Sequence, residues 1–178
     1  MSFAFSRRSF LKYTAVAAVA VAGASLFTGC KVDTSDSYNA LRTTPGELTV
    51  LQVTAAMGTY VEASKSYTAP DVTGMTIAFP FKITNGRANP IYVNPNNFKA
   101  TVLNDKDEFI TKYTASNGLT LDAPLCDTNL KKGASVSGNV TLTLSAALEP
   151  GQSIVLTYCP DLQYNEYSLN WKTTRAKD

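Results

Sequence analysis

Two stretches carry residues whose types could do chemistry. Asp105, Asp107 and Glu108 lie close enough together to grip a hard cation, and Gly133-x-Ser135-x-x-Gly138 is the nearest approach to a nucleophile turn. A calcium loop needs oxygen ligands at fixed positions and a glycine at its sharp bend. Asn104–Glu108 lacks both, and Lys106 sits in its middle, so it reads as a solvated hairpin turn. A nucleophile elbow requires Gly-x-Ser-x-Gly on a strand-to-helix turn. Here the spacing differs and no helical pattern follows. Histidine is absent from the chain, which removes the usual general base and the usual metal ligand. The one Ser-x-x-Lys pair, Ser9 and Lys12, falls near the N-terminus. The expectation is a non-catalytic protein with no metal and no cofactor.

The N-terminus carries an address instead. Ser6-Arg7-Arg8-Ser9-Phe10-Leu11-Lys12 matches the twin-arginine export motif, with Ser6, Arg7, Arg8, Phe10, Leu11 and Lys12 at its informative positions. The apolar run after it, Ala15 to Phe27, is alanine-rich and short of the ~20 residues that span a bilayer. The competing reading is a general secretory leader whose charged region happens to be Arg-Arg. Leu26-Phe27-Thr28-Gly29-Cys30 then resembles a lipobox, the site at which bacterial lipoproteins are acylated and cut before cysteine, with Phe27 where leucine is commoner. Ordinary signal-peptidase cleavage with Cys30 incidental is the alternative. These motifs set the expected organisation: residues 1–29 a lipoprotein signal peptide, 30–46 a polar flexible tether, and 47–178 the folded domain. The expected location is extracytoplasmic, with the membrane as partner through acyl chains on Cys30.

Charge narrows the other partners. Setting aside Arg7, Arg8 and Lys12 from the 16 basic residues leaves 13 against 14 acidic ones, a balance of −1 for the exported part. A near-neutral domain has no electrostatic footprint for nucleic acid. Cys126 and Cys159 form an even pair in an exported chain, which argues for a disulfide stabilising the fold by roughly 3–4 kcal/mol. Two free thiols are the alternative. Tyr164, Tyr167 and Trp171 are the candidate interaction residues, since aromatics with a polar tip favour interfaces and sugar platforms. The competing reading places them in a last strand that completes the core.

The elements that position these residues are strands. Met75, Ile77, Phe79, Phe81 and Ile83 take every second position, which turns all five to one face of a strand over 75–84. Pro80 cannot donate a ladder bond, so that strand is expected near an edge or bulged. Further strands are read at Glu47 to Ala56, Ile91 to Val93, Phe98 to Leu103, Phe109 to Tyr113, Leu119 to Asp122, Leu125 to Leu130, Ala134 to Leu144 and Ser153 to Cys159, with turns at Asn117-Gly118 and Glu149-Pro150-Gly151. Many short strands about ten residues apart predict an all-β, immunoglobulin-like antiparallel β-sandwich.

Three stretches together resemble one family. Met75-x-Ile-x-Phe…Ile83-Thr-Asn85, then Pro90-Ile-x-Val93…Phe98…Asn104-Asp105…Phe109, then Leu130-x-x-Gly133-x-Ser-Val-Ser-Gly138-x-Val140 are similar to the telokin-like, immunoglobulin-fold domain of unknown function found in bacterial lipoproteins. The likeness covers about Glu47 to Asp161; Pro80, the cysteine pair and the Tyr-rich tail depart from it. It implies the sandwich and no particular activity. The functional expectation is a membrane-anchored binding module for an unknown protein or glycan, with an accessory or inhibitory subunit of a cell-envelope enzyme as the second reading.

Overall fold

The computed structural model describes residues 39–110, 119–162 and 167–177. The export motif, Cys30, the Asn117-Gly118 turn and Tyr164 lie outside the described residues. Two sheets form the body of an all-β sandwich. The first has the order β1 (Asn39–Arg42), β13 (Ser168–Thr174), β12 (Ser153–Tyr158), β8 (Phe98–Leu103). The second has the order β2 (Gly46–Val50), β3 (Val53–Met57), β6 (Thr76–Asn85), β11 (Ser135–Thr143), β9 (Leu119–Leu121). Two small two-stranded sheets flank them: the hairpin β4 (Thr59–Val61) with β5 (Ser66–Thr68), and β7 (Ile91–Val93) with the sequence-distant β10 (Thr128–Leu130). Among the described residues all strand pairings are antiparallel except β1 with β13.

β6 is the expected strand, shifted by one residue. Ile77, Phe79, Phe81, Ile83 and Asn85 point inward and are buried, while Met75 precedes the strand and is 54% exposed. The apolar stripe ends on a buried amide rather than beginning on a methionine. β6 is also central, not an edge. Pro80 is tolerated there because the amide and carbonyl of one strand residue point the same way. The Pro80 carbonyl accepts from Gly58 N–H at 2.8 Å, on the β3 side, and β3 ends at Met57 opposite Phe81. The missing donor therefore faces the place where the neighbouring strand has run out. Opposite Pro80 on the other side, β11 pairs in unbroken register from Ser135 to Thr143.

The sheets meet through aromatic rings. Phe81 packs edge-on against Phe98 (5.5 Å) and Trp171 (5.1 Å) of the facing sheet, and Phe98 lies 4.9 Å from Tyr158. Trp171 is fully buried, and its Nε1–H donates to the Gly46 carbonyl at 2.9 Å, tying the last strand to β2. That arrangement corrects the expectation of an interaction role for Trp171: it completes the core. Tyr167 is half-buried and packs against the same cluster.

Three further expectations change. Residues 47–56 are a hairpin, not one strand: Leu51 (φ 48°) and Gln52 (φ 60°) form its two-residue turn in the left-handed region. Residues 39–46 belong to the domain rather than to the tether, because Asn39–Arg42 add a parallel strand to β13 and Asn170 Nδ2 donates to the Ala40 carbonyl at 3.1 Å. Cys126 and Cys159 are free thiols, not a disulfide. Each is fixed by a different loop. The Cys126 amide donates to Asp122 and its thiol to Asp127 (3.4 Å), whereas Cys159 exchanges two 2.8 Å bonds with Asn97.

Phe81→Ala should destabilise the domain by about 3–5 kcal/mol, because it leaves a cavity between the Phe98 and Trp171 rings. Lys82→Ala, on the exposed face, should change stability by less than about 0.5 kcal/mol. The Tyr158 hydroxyl is buried without a hydrogen-bond partner among the described residues. Removing an unpaired buried hydroxyl is close to neutral, so Tyr158→Phe should unfold at the same denaturant concentration as the wild type or higher.

Candidate functional site

Asp105, Asp107 and Glu108 are spent on structure. The Asn104 side chain accepts from the amides of Lys106 and Glu108, at 2.9 and 2.8 Å, and donates to the Glu108 carboxylate at 3.0 Å. Asp107 pairs with Lys172 and Asp105 with Lys177 (3.7 Å), clamping this turn to the C-terminal strand and tail. Among the described residues no three metal-ligating side chains converge. Ser135 begins β11, where its hydroxyl bonds the Thr84 hydroxyl at 2.8 Å, and no helix follows. Gly133 and Gly138 are structural too. Gly133 (φ 77°) turns the chain into β11, and a Cβ on Gly138 would approach Leu125 Cβ to 2.8 Å. Burial raises the Cys159 thiol pKa, and the bond to Asp127 raises that of Cys126. Neither is held as a thiolate.

Surface clefts among the described residues offer two other candidates. The smaller, about 330 Å³, lies at the end of the sandwich where β12 finishes and β7 starts. It is lined by Tyr92 and Leu162, both about half exposed, and by the Arg87–Asp161 ion pair at 3.1 Å. The second, about 590 Å³, lies beside β1, halfway along the sandwich, between the β1–β2 connection and the β4–β5 hairpin.

The second cleft is built from residues far apart in sequence. Arg42 lies at the end of β1, and its Nη1 donates to the Glu47 carbonyl at 2.9 Å. Gly46 (φ 138°) has no side chain to displace that guanidinium, since a Cβ there would lie 3.0 Å from Arg42 Cζ. Glu47 faces the hairpin, and the Tyr67 hydroxyl donates to its Oε1 at 2.7 Å. Burial, then the Glu47 carboxylate, push the Tyr67 pKa up to about 12. Tyr60, 48% exposed, packs against Tyr67 from outside the cleft lining, with ring centroids 5.2 Å apart and the planes tilted by 59°. Lys65 and Ser66 close the hairpin side, and Thr44 closes the other. The cleft thus offers an aromatic face beside a cation, a carboxylate and hydroxyls. Sequence reading missed it because no local motif joins residues 42–47 to residues 60–67; what signal there was lay in two tyrosines of an aperiodic stretch.

The chain matches no family model, and no curated protein is significantly similar to it. Its structure was compared with solved ones. The ycdA protein of Bacillus subtilis, described as a lipoprotein, aligns at 13% identity over 74% of this chain and 39% of its own, with a TM-score of 0.45. The yjhA protein of Bacillus subtilis aligns at 9% identity over 76% and 98%, with a TM-score of 0.43. The archaeal flagellum of Methanospirillum hungatei aligns at 15% identity over 96% and 89%, with a TM-score of 0.38.

Tyr67 gives this geometry a spectroscopic check. Its folded-state pKa is raised above the ordinary value of 10, so the neutral hydroxyl contributes stability below about pH 10 that is lost as pH rises towards about 12. Tyrosinate absorbance of the native protein should show one tyrosine ionising near pH 12 that disappears in Tyr67→Phe and ionises earlier in Glu47→Gln. An unchanged titration curve in Glu47→Gln would mean that the carboxylate does not hold the phenol.

Proposed function

We propose that this protein is an extracytoplasmic lipoprotein whose sandwich acts as a non-catalytic binding module, with the Arg42–Glu47–Tyr67 cleft as its ligand site. The twin-arginine and lipobox residues support the address, and the cleft supports the role. The single observation that carries the reading is the half-exposed Tyr60, tilted at 59° against the cleft-lining Tyr67, beside a guanidinium and a carboxylate already held in place. An aromatic platform with ordered polar groups around it binds ligands that present a flat apolar face rimmed by hydroxyls or amides, as glycans and extended peptides do. Pre-ordered side chains lose little entropy on binding.

The β4–β5 hairpin favours one second reading. It pairs only with itself, and residues 62–66 at its tip are exposed, the shape of an element that enters a partner's cleft. In that case the protein is an accessory or inhibitory subunit of an envelope enzyme.

Capture from detergent-solubilised envelope separates these readings. Tyr60→Ala should weaken capture of the ligand about tenfold or more, the loss of roughly 1.4 kcal/mol or above expected for a central aromatic contact, with the unfolding temperature unchanged. One stoichiometric enzyme, lost on deletion of the hairpin tip, favours the subunit reading. Equal capture by wild type and Tyr60→Ala would remove the cleft from the account. Cys30→Ala should move the protein from the detergent phase to the aqueous phase, and a wild type already in the aqueous phase would contradict the anchor.

A further inference from the structure

We infer that the end of the sandwich at which β1 begins is a seat for anionic membrane lipid headgroups, gripped by Lys131 and Lys132. The inference rests on the reading of Cys30 as the acylated anchor. Strand register defines that end. Asn39 pairs with Ser168, and the neighbouring Leu169 pairs with Tyr158, so the chain enters the domain level with the last residue of β12. Asp161 follows β12 directly, and its ion pair with Arg87 joins it to the loop after β6. Asn85 joins the same end to the turn before β11: its side chain donates to the Leu130 carbonyl at 2.9 Å, and its own carbonyl accepts from Gly133 N–H at 2.6 Å. Lys131 and Lys132 sit between those two bonds, exposed at the tip.

Charge and chain length both point this end at the membrane. Neither lysine ammonium has a carboxylate partner among the described residues. The nearby acids are occupied: Asp161 by Arg87, and Asp127 by the Tyr92 hydroxyl at 3.0 Å and the Cys126 thiol. The opposite end, where Leu103 pairs with Ser153, carries Asp105, Asp107 and Glu108. The unpaired Lys131–Lys132 turn thus stands where the chain arrives, whereas at the far end Asp105 and Asp107 are paired with Lys177 and Lys172. Cationic turns near an anionic leaflet are drawn to it within a Debye length. Only nine residue steps separate Cys30 from Asn39, a reach of at most about 30 Å, comparable to the length of ten-residue β6 at about 3.4 Å per residue. The tether joins the domain at Asn39, on the lysine end. Exposed Leu162 at that end adds an apolar side chain suited to the headgroup boundary.

The test uses the full acylated protein in vesicles of phosphatidylcholine alone or with about one-third phosphatidylglycerol. Lysines are labelled with a water-soluble amine reagent and counted by peptide mass spectrometry, with Lys106 at the far end as the internal reference. Lys131 and Lys132 should be protected several-fold in the phosphatidylglycerol vesicles at low salt. Protection should fall in phosphatidylcholine and at high salt. Equal labelling in both vesicles, on protein whose Cys30 carries acyl chains, would overturn the headgroup seat and leave the anchor standing. Protein without acyl chains on Cys30 would overturn both. With Cys126→Ser and Cys159→Ser removing the native thiols, Lys131→Gln with Lys132→Gln should stay in the vesicle pellet while Leu162, probed as Leu162→Cys with a polarity-sensitive dye, loses its phosphatidylglycerol-dependent shift. A shift that persists in the double variant would show that these lysines are not the contact.

Discussion

One buried amide holds the end of this sandwich together. Asn85 closes the apolar stripe of β6 with no exposed surface, and every polar atom that the geometry resolves is used. Its Nδ2 donates to the carbonyls of Asn89 (3.0 Å) and Leu130 (2.9 Å), and its Oδ1 accepts from Arg87 N–H (2.8 Å). Its backbone amide donates to Ala134 (3.0 Å), and its carbonyl accepts from Gly133 (2.6 Å). A buried amide is tolerable only when satisfied, and each partner lost would leave a buried group unpaired at about 1–3 kcal/mol. The loop after β6, the end of β10 and the start of β11 are thus fixed by one side chain.

Much else follows from that pin. With Arg87 held by Asn85, its guanidinium reaches Asp161 and draws the end of β12 towards the facing sheet. The β2–β3 turn joins the same cluster, since Gly86 N–H donates to the Gln52 carbonyl at 2.8 Å. A Cβ on Gly86 would stand 2.5 Å from that oxygen, so only glycine admits the approach. Lys131 and Lys132 are presented outward because both ends of their turn are bound to Asn85. At the middle of the sandwich, the Phe81–Trp171 contact and the Trp171–Gly46 bond place β1 and β2 side by side, which is what opens the Arg42–Glu47 cleft.

The strands with one wet face were legible in the sequence. β6 and β11 alternate apolar and polar residues over nine or ten positions, and the burial of each follows that alternation. What was hidden depends on partners. β1 reads as a polar linker because Asn39-Ala-Leu-Arg42 has no inward stripe of its own; it is a strand because β13 offers an edge. The β2–β3 turn was invisible because Leu51 and Gln52 adopt positive φ without glycine or asparagine to announce it. Pro80 signalled an edge, although the end of β3 lets a central strand carry it. Asn85 and Gly133 were visible as motif residues, but only the folded chain shows that they bond each other. The candidate cleft joins two segments some twenty residues apart, a pairing that no local pattern encodes.

The central claim is that Asn85 acts as a single pin for three connections. Native-state hydrogen exchange of Asn85→Ala, followed at the amides of Arg87, Gly133 and Ala134, tests it most directly. The account predicts that Arg87 and Gly133 lose protection together by roughly tenfold or more, the kinetic image of about 1.4 kcal/mol, while amides in the middle of β12 change only with global stability. Loss of protection at Arg87 alone, with Gly133 unchanged beyond the global effect, would show that the loops are held independently and would contradict the account.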